Sequence, residues 1–72
     1  MQNLIFKTNI ASKADLNEVK TILDNHCLIQ KWTVDVEDVD KVLRVVPKGK
    51  VTYADIITLL TQQGFSCADL DH

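Results

Sequence analysis

The chain predicts an α+β fold with elements in the order βαββαβ, and three observations carry that prediction. Hydropathy alternates with period two in residues 4–10 and 30–36, and residues 42–46 are rich in β-branched side chains. Two other segments switch to the helical period, each opened by Ser or Thr three residues before an Asp. Pro47, Gly49 and Gly64 fall at the joints between these patterns.

The first strand, residues 4–10, places Leu4, Phe6, Thr8 and Ile10 on one face. Ser12 and Asp15 then form a capping box, in which the hydroxyl accepts from the third helical N–H and the carboxylate reaches back to the cap. Leu16, Val19, Ile22 and Leu23 make the apolar stripe of the helix that follows, with Asn17, Glu18, Lys20 and Asp24 turned outward. The stripe continues as far as His26-Cys27, where a histidine also suits the negative end of the helix dipole.

Residues 30–36 return to alternation, with Trp32, Val34 and Val36 inward and Lys31, Thr33 and Asp35 outward. A buried Trp32 needs an acceptor for its indole N–H. Glu37-Asp38-Val39-Asp40 makes an acidic turn, and the β-branched run from Val42 to Val46 is the third strand, ended by Pro47, which cannot donate to a continuing ladder. Thr52 and Asp55 form a second capping box, Tyr53, Ile56, Ile57 and Leu60 supply the second apolar face, and Gly64 suits a left-handed helix end. Residues 65–70 read as a final edge strand in which Cys67 points inward as a small hydrophobe.

With right-handed crossovers this order is the split βαβ, or ferredoxin-like, plan: a four-stranded antiparallel sheet ordered 4-1-3-2, with both helices on one face. The open face then carries Ile5, Lys7, Thr33, Asp35, Val42, Arg44 and Val46. Tracing strand directions brings the first strand-to-helix loop, the acidic turn and the approach to the last strand to one end of the molecule, with His26 and Cys27 at the other.

Composition narrows the function. A chain of 72 residues reads as a single domain covering residues 1–72 and buries only about 60% of its unfolded surface, which leaves little room for an enclosed active site. Net charge is −2 with no basic stripe, which argues against nucleic acid as a partner. No apolar run reaches the roughly 20 residues needed to cross a bilayer, and Met1 to Asn9 enters a strand pattern rather than a signal-peptide pattern, so a cytoplasmic location is expected. Cys27 and Cys67 lie 40 positions apart, form no CxxC, and read as free thiols. Neither has a histidine and an orienting carboxylate to make it a nucleophile, and both glycines are explained by turns and caps, so an enzyme is not expected.

Lys7-Thr8-Asn9-Ile10 entering the first loop, Trp32-Thr33-Val34-Asp35-Val36 with the acidic turn and Lys41-Val42-Leu43, and Gln63-Gly64-Phe65 before a short strand together resemble the heavy-metal-associated domain of small copper chaperones and of metal-pumping P-type ATPases. That resemblance implies a loop of the form Met-x-Cys-x-x-Cys, whose two thiolates suit Cu(I). The matching positions here are Ile10, Ser12 and Asp15, a hydroxyl and a hard oxygen where sulfur is expected. Chaperone-type members also place a lysine two residues before the glycine, and this chain has Gln62 there. The expectation is a binding module without the thiol pair and without a cofactor, acting on a protein partner or on itself through the open sheet face or the loop end. An alternative is atypical metal binding, with Asp15 joined by Glu37, Asp38 or Asp40 as hard ligands, or with Cys67 after rearrangement. Asp69, Asp71 and His72 form a further loose set of potential chelators.

Overall fold

The computed structural model describes residues 3–70. Its elements are β1 (Leu4–Thr8), α1 (Lys13–Asp24), β2 (Ile29–Asp35), β3 (Val42–Pro47), α2 (Tyr53–Thr61) and β4 (Cys67–Asp69). All strand pairs are antiparallel and the sheet runs β2-β3-β1-β4, so the ferredoxin-like βαββαβ fold is as the periodicities predict. Both helices lie on one face, α1 against β2 and α2 against β4, touching each other along one side.

Helices of 12 and 9 residues are marginal in isolation, so burial must hold them. Val19 and Leu23 of α1 and Ile56 and Leu60 of α2 are fully buried against Phe6, Leu43 and Val45 of the sheet. Tyr53 closes this layer at the start of α2, its ring 5.0 Å from that of Phe6 and its hydroxyl 3.3 Å from the Ile5 N–H.

Element boundaries differ from the sequence reading in every strand and in α1; β2 runs Ile29–Asp35 rather than over residues 30–36, which leaves Val36 to the turn. β1 ends at Thr8, yet Ile10 is still fully buried, held inward by the loop rather than by the ladder. α1 stops at Asp24 with Asn25 as its cap, and His26 instead lies in the turn, where its Nδ1 accepts from the Leu28 N–H at 3.2 Å. Pro47 is the last residue of β3 rather than the residue beyond it, because its partner Ile29 begins an edge strand and places no demand on a proline N–H. β4 keeps only three of the six residues expected, since Phe65 is committed to the end of α2: its N–H reaches back to the Leu60 carbonyl at 3.1 Å. That return requires Gly64 at φ 92, a backbone shape that a side chain would strain.

β2 contains the most informative irregularity. Strict alternation puts Ile29 on the same face as Lys31, but the register shifts between these two residues and an extra residue enters the strand. Ile29 is thereby buried, while Lys31, Thr33 and Asp35 remain on the open face.

Candidate functional site

The end of the molecule that gathers the β1–α1 loop and the β2–β3 turn is organised around one hydroxyl. Thr8 is buried; its Oγ1 donates to the Lys41 carbonyl and accepts from the Ile10 N–H at 3.2 Å. The Thr8 N–H in turn donates to the Asp40 carbonyl at 3.0 Å. These bonds tie the loop to the tip of the neighbouring hairpin. Asn9 completes the arrangement by accepting from the Ser66 N–H at 3.0 Å, which brings the approach to β4 to the same place.

Ser12 and Asp15 build the capping box that their spacing predicts. Ser12 Oγ accepts from the Asp15 N–H at 3.1 Å, and Asp15 Oδ2 accepts from the N–H groups of both Ala11 and Ser12, at 3.2 and 3.3 Å. The backbone N–H of Ala11, followed by that of Ser12, lowers the Asp15 pKa below its ordinary 3.8. The carboxylate therefore sits ionised at the positive end of α1, its Oδ2 used by two backbone donors.

The acidic turn spends its side chains locally. Asp35 Oδ1 accepts from the Glu37 N–H and Asp38 Oδ1 from the Asp40 N–H, which are ordinary side-chain-supported turns. Asp40 lies 3.7 Å from Lys7. Lys41 sits at φ 47, a left-handed position unusual for a residue with a side chain, and its Nζ donates to the Val36 carbonyl at 2.9 Å. Among the described residues, no group of three or more His, Cys, Asp and Glu side chains is placed to hold a metal ion, so Asp15, Glu37, Asp38 and Asp40 are not gathered into one cluster.

The two thiols are equally separate. Cys67 is buried on β4, where burial pushes its pKa up to about 11 and keeps it a neutral packing group. Cys27 is exposed in the turn after α1. Asp71 and His72 lie outside the described residues. Trp32 does find its acceptor: the indole N–H donates to Asp24 Oδ1 at 2.9 Å, and the Lys20 ammonium holds the other oxygen at the same distance. The indole bond, followed by that to Lys20, lowers the Asp24 pKa below its ordinary value.

Sequence reasoning missed three residues at this end. Thr8 looked like one more inward strand position, although a buried hydroxyl in an apolar alternation signals a partner. Lys41 gave no signal, since its φ is set by the turn geometry. Val39 is 90% exposed at the hairpin tip, which presents an apolar side chain between Asp38 and Asp40.

No protein-family model matches the sequence, and no curated protein does. A solved chain from the solution structure of the Atx1-Cu(I)-Ccc2a complex superposes with a TM-score of 0.83 over 99% of this chain and 97% of that one, at 21% identity. At that identity the likeness fixes the fold, and the fold it fixes is the ferredoxin-like one described above. No helix among the described residues is long and apolar enough to cross a membrane.

Proposed function

We propose that the chain is a small, non-enzymatic binding module, one domain over residues 1–72, that carries the fold of a copper chaperone and acts by protein contact in the cytoplasm. The observation that supports this reading is the use made of the loop. At Ser12 and Asp15, which the resemblance aligns with metal-binding thiols, Ser12 Oγ and Asp15 Oδ2 accept from backbone N–H groups at the start of α1. A hydroxyl and a carboxylate are hard donors, poorly matched to a soft monovalent ion. The solved neighbour comes from an Atx1-Cu(I)-Ccc2a complex, which supports a protein-facing role for this fold. Two surfaces are available for that contact, the loop end with exposed Val39 and the open face of the sheet.

The test is a titration of the reduced protein with Cu(I), Zn(II) and Ni(II), followed through backbone amide shifts. The expected outcome is no saturable shift at residues 10–15, while a Ser12→Cys/Asp15→Cys variant, titrated in parallel, takes up one equivalent of Cu(I). Tight binding of Cu(I) by the unmodified chain around Ser12 would reverse the reading in favour of metal trafficking. Saturation by Zn(II) or Ni(II) at Asp15 and the acidic turn would favour a hard-ligand site.

A further inference from the structure

The open face of the sheet has a pattern that the functional reading above leaves unused. Its middle row is Thr33, Arg44 and Ile5, directly paired across β2, β3 and β1. On either side of that row the pattern inverts. Toward the hairpin tip Asp35 pairs with Val42, and toward the other end Lys31 pairs with Val46. Lys31 and Asp35 are four residues apart beyond the bulge, so both project from the same face, roughly 14 Å from each other. Both are exposed, and Val42, Val46 and Ile5 are half-buried.

We infer that this face is a self-complementary surface for a second copy of the chain. A two-fold axis lying along the Thr33–Arg44–Ile5 row sets each Asp35 over the Lys31 of the other copy and each Val42 over its Val46, and brings the two Ile5 side chains together. The interface is isologous, so every favourable pair occurs twice. It is the open-face analogue of sheets packed about 10 Å apart in a sandwich, with the helices outermost.

Charge decides for a second copy over a partner of one sign. Lys7 is already beside Asp40, and Asp38 lines the same shallow groove as Asp35, Val42 and Arg44, so the charges the face offers are Lys31 and Arg44 against Asp35 and Asp38. A uniformly acidic or basic partner gains at one end of the β2 column and loses at the other, whereas an inverted copy gains at both. Arg44 meets itself on the axis and is the one opposed position. Three strands of five to seven residues and the three-residue β4, spaced about 4.8 Å apart, bury on the order of 1,000 Å² between two copies. With Arg44 opposed, the contact is a weak, reversible and salt-sensitive dimer.

The inference rests on the protein-contact reading and names its partner, and sedimentation velocity of the whole chain over a concentration series tests it. The expected result is a monomer–dimer equilibrium that weakens with added salt. Asp35→Lys and Lys31→Glu each weaken it roughly tenfold, because two like-charge contacts replace two attractive ones, and the double exchange Lys31→Glu/Asp35→Lys restores it. Amide shifts on dilution are expected at Ile5, Thr33 and Val42, and they also report that each variant is folded. A monomer at every concentration, a double exchange that stays monomeric, or Asp35→Lys tightening the complex overturns the inference. Dilution shifts at residues 37–41 instead overturn it while leaving protein contact standing. Cu(I) binding at the loop defeats the functional reading and leaves the dimer untouched.

Discussion

Helix α1 and helix α2 begin in the same way. Their caps, Ser12 and Thr52, have φ, ψ of −107, 166 and −103, 166, and each is answered three residues later by an aspartate that accepts from the cap's own N–H. Only the first sits where the resemblance expects a metal loop. The second has no such association, and it adopts the same residue types, spacing and bonds because the first N–H groups of any helix need acceptors. The bonds of Ser12 Oγ and Asp15 Oδ2 are thus those of an ordinary helix start, which supports the structural reading of the loop proposed above.

The two starts differ in what stands behind them. The residues before Ser12 are anchored to the β2–β3 hairpin through the buried Thr8 hydroxyl, which serves both the Lys41 carbonyl and the Ile10 N–H. The segment before Thr52 is held differently: the Lys48 N–H donates to the Leu28 carbonyl at 2.7 Å, and Val51 packs at the margin of the core. The first cap is therefore coupled to the β2–β3 hairpin through a buried side-chain hydroxyl, whereas the second start meets β1 through the Tyr53 ring and hydroxyl.

This contrast breaks first at Thr8. Replacing it with valine keeps the volume but strands a carbonyl and an N–H at a part-buried site, so urea unfolding should lose about 2–3 kcal/mol, and the amides of residues 9–12 and 40–42 should shift together. A loss within ~0.5 kcal/mol would mean that the hydroxyl does not couple loop and hairpin. Next come the caps themselves. Ser12→Ala and Thr52→Ala should each cost about 1 kcal/mol, and the two values should agree within ~0.5 kcal/mol if the caps are equivalent. A much larger cost at Ser12 would indicate a further role for its hydroxyl.

The smallest effect is in pH. The Asp15 pKa is lowered in the folded state, so its contribution is present above the unfolded value near 3.8 and is lost as pH falls through the still lower folded value. Asp24, lowered by Trp32 and Lys20, titrates in the same direction. An acid titration below pH 3.8 should therefore show stability falling as pH falls. Asp15→Asn should flatten part of that slope without moving the Trp32 fluorescence change, which follows Asp24 instead. A slope unchanged by Asp15→Asn would show that the carboxylate gains nothing from its two N–H partners.

Most of the fold was legible because periodicity is a local property. Alternation in residues 4–8, the β-branched run at 42–46, the helical stripes and both Ser/Thr-x-x-Asp boxes each lie within a few residues of sequence, and every one of them survives in the structure. The candidate site was legible only as a set of positions. That Asp15 is spent on the Ala11 and Ser12 N–H groups follows from the capping rule, but that Asp38 turns to its own hairpin and Asp40 to Lys7 rather than toward Asp15 depends on geometry that no spacing encodes.

Sequence alone determined the order of elements, the sheet plan, the two helix starts and the inward direction of Cys67, since each follows from which side of a short segment is apolar. Tertiary structure decided the rest. Only pairing between β2 and β3 could shift the register and bury Ile29, and only the packing of α1 on β2 could bring Asp24 to the Trp32 indole. The Thr8 hydroxyl likewise found the Lys41 carbonyl, 33 positions away, because antiparallel strands set them side by side. Such contacts depend on where distant segments meet, and a one-dimensional pattern contains no distances between them.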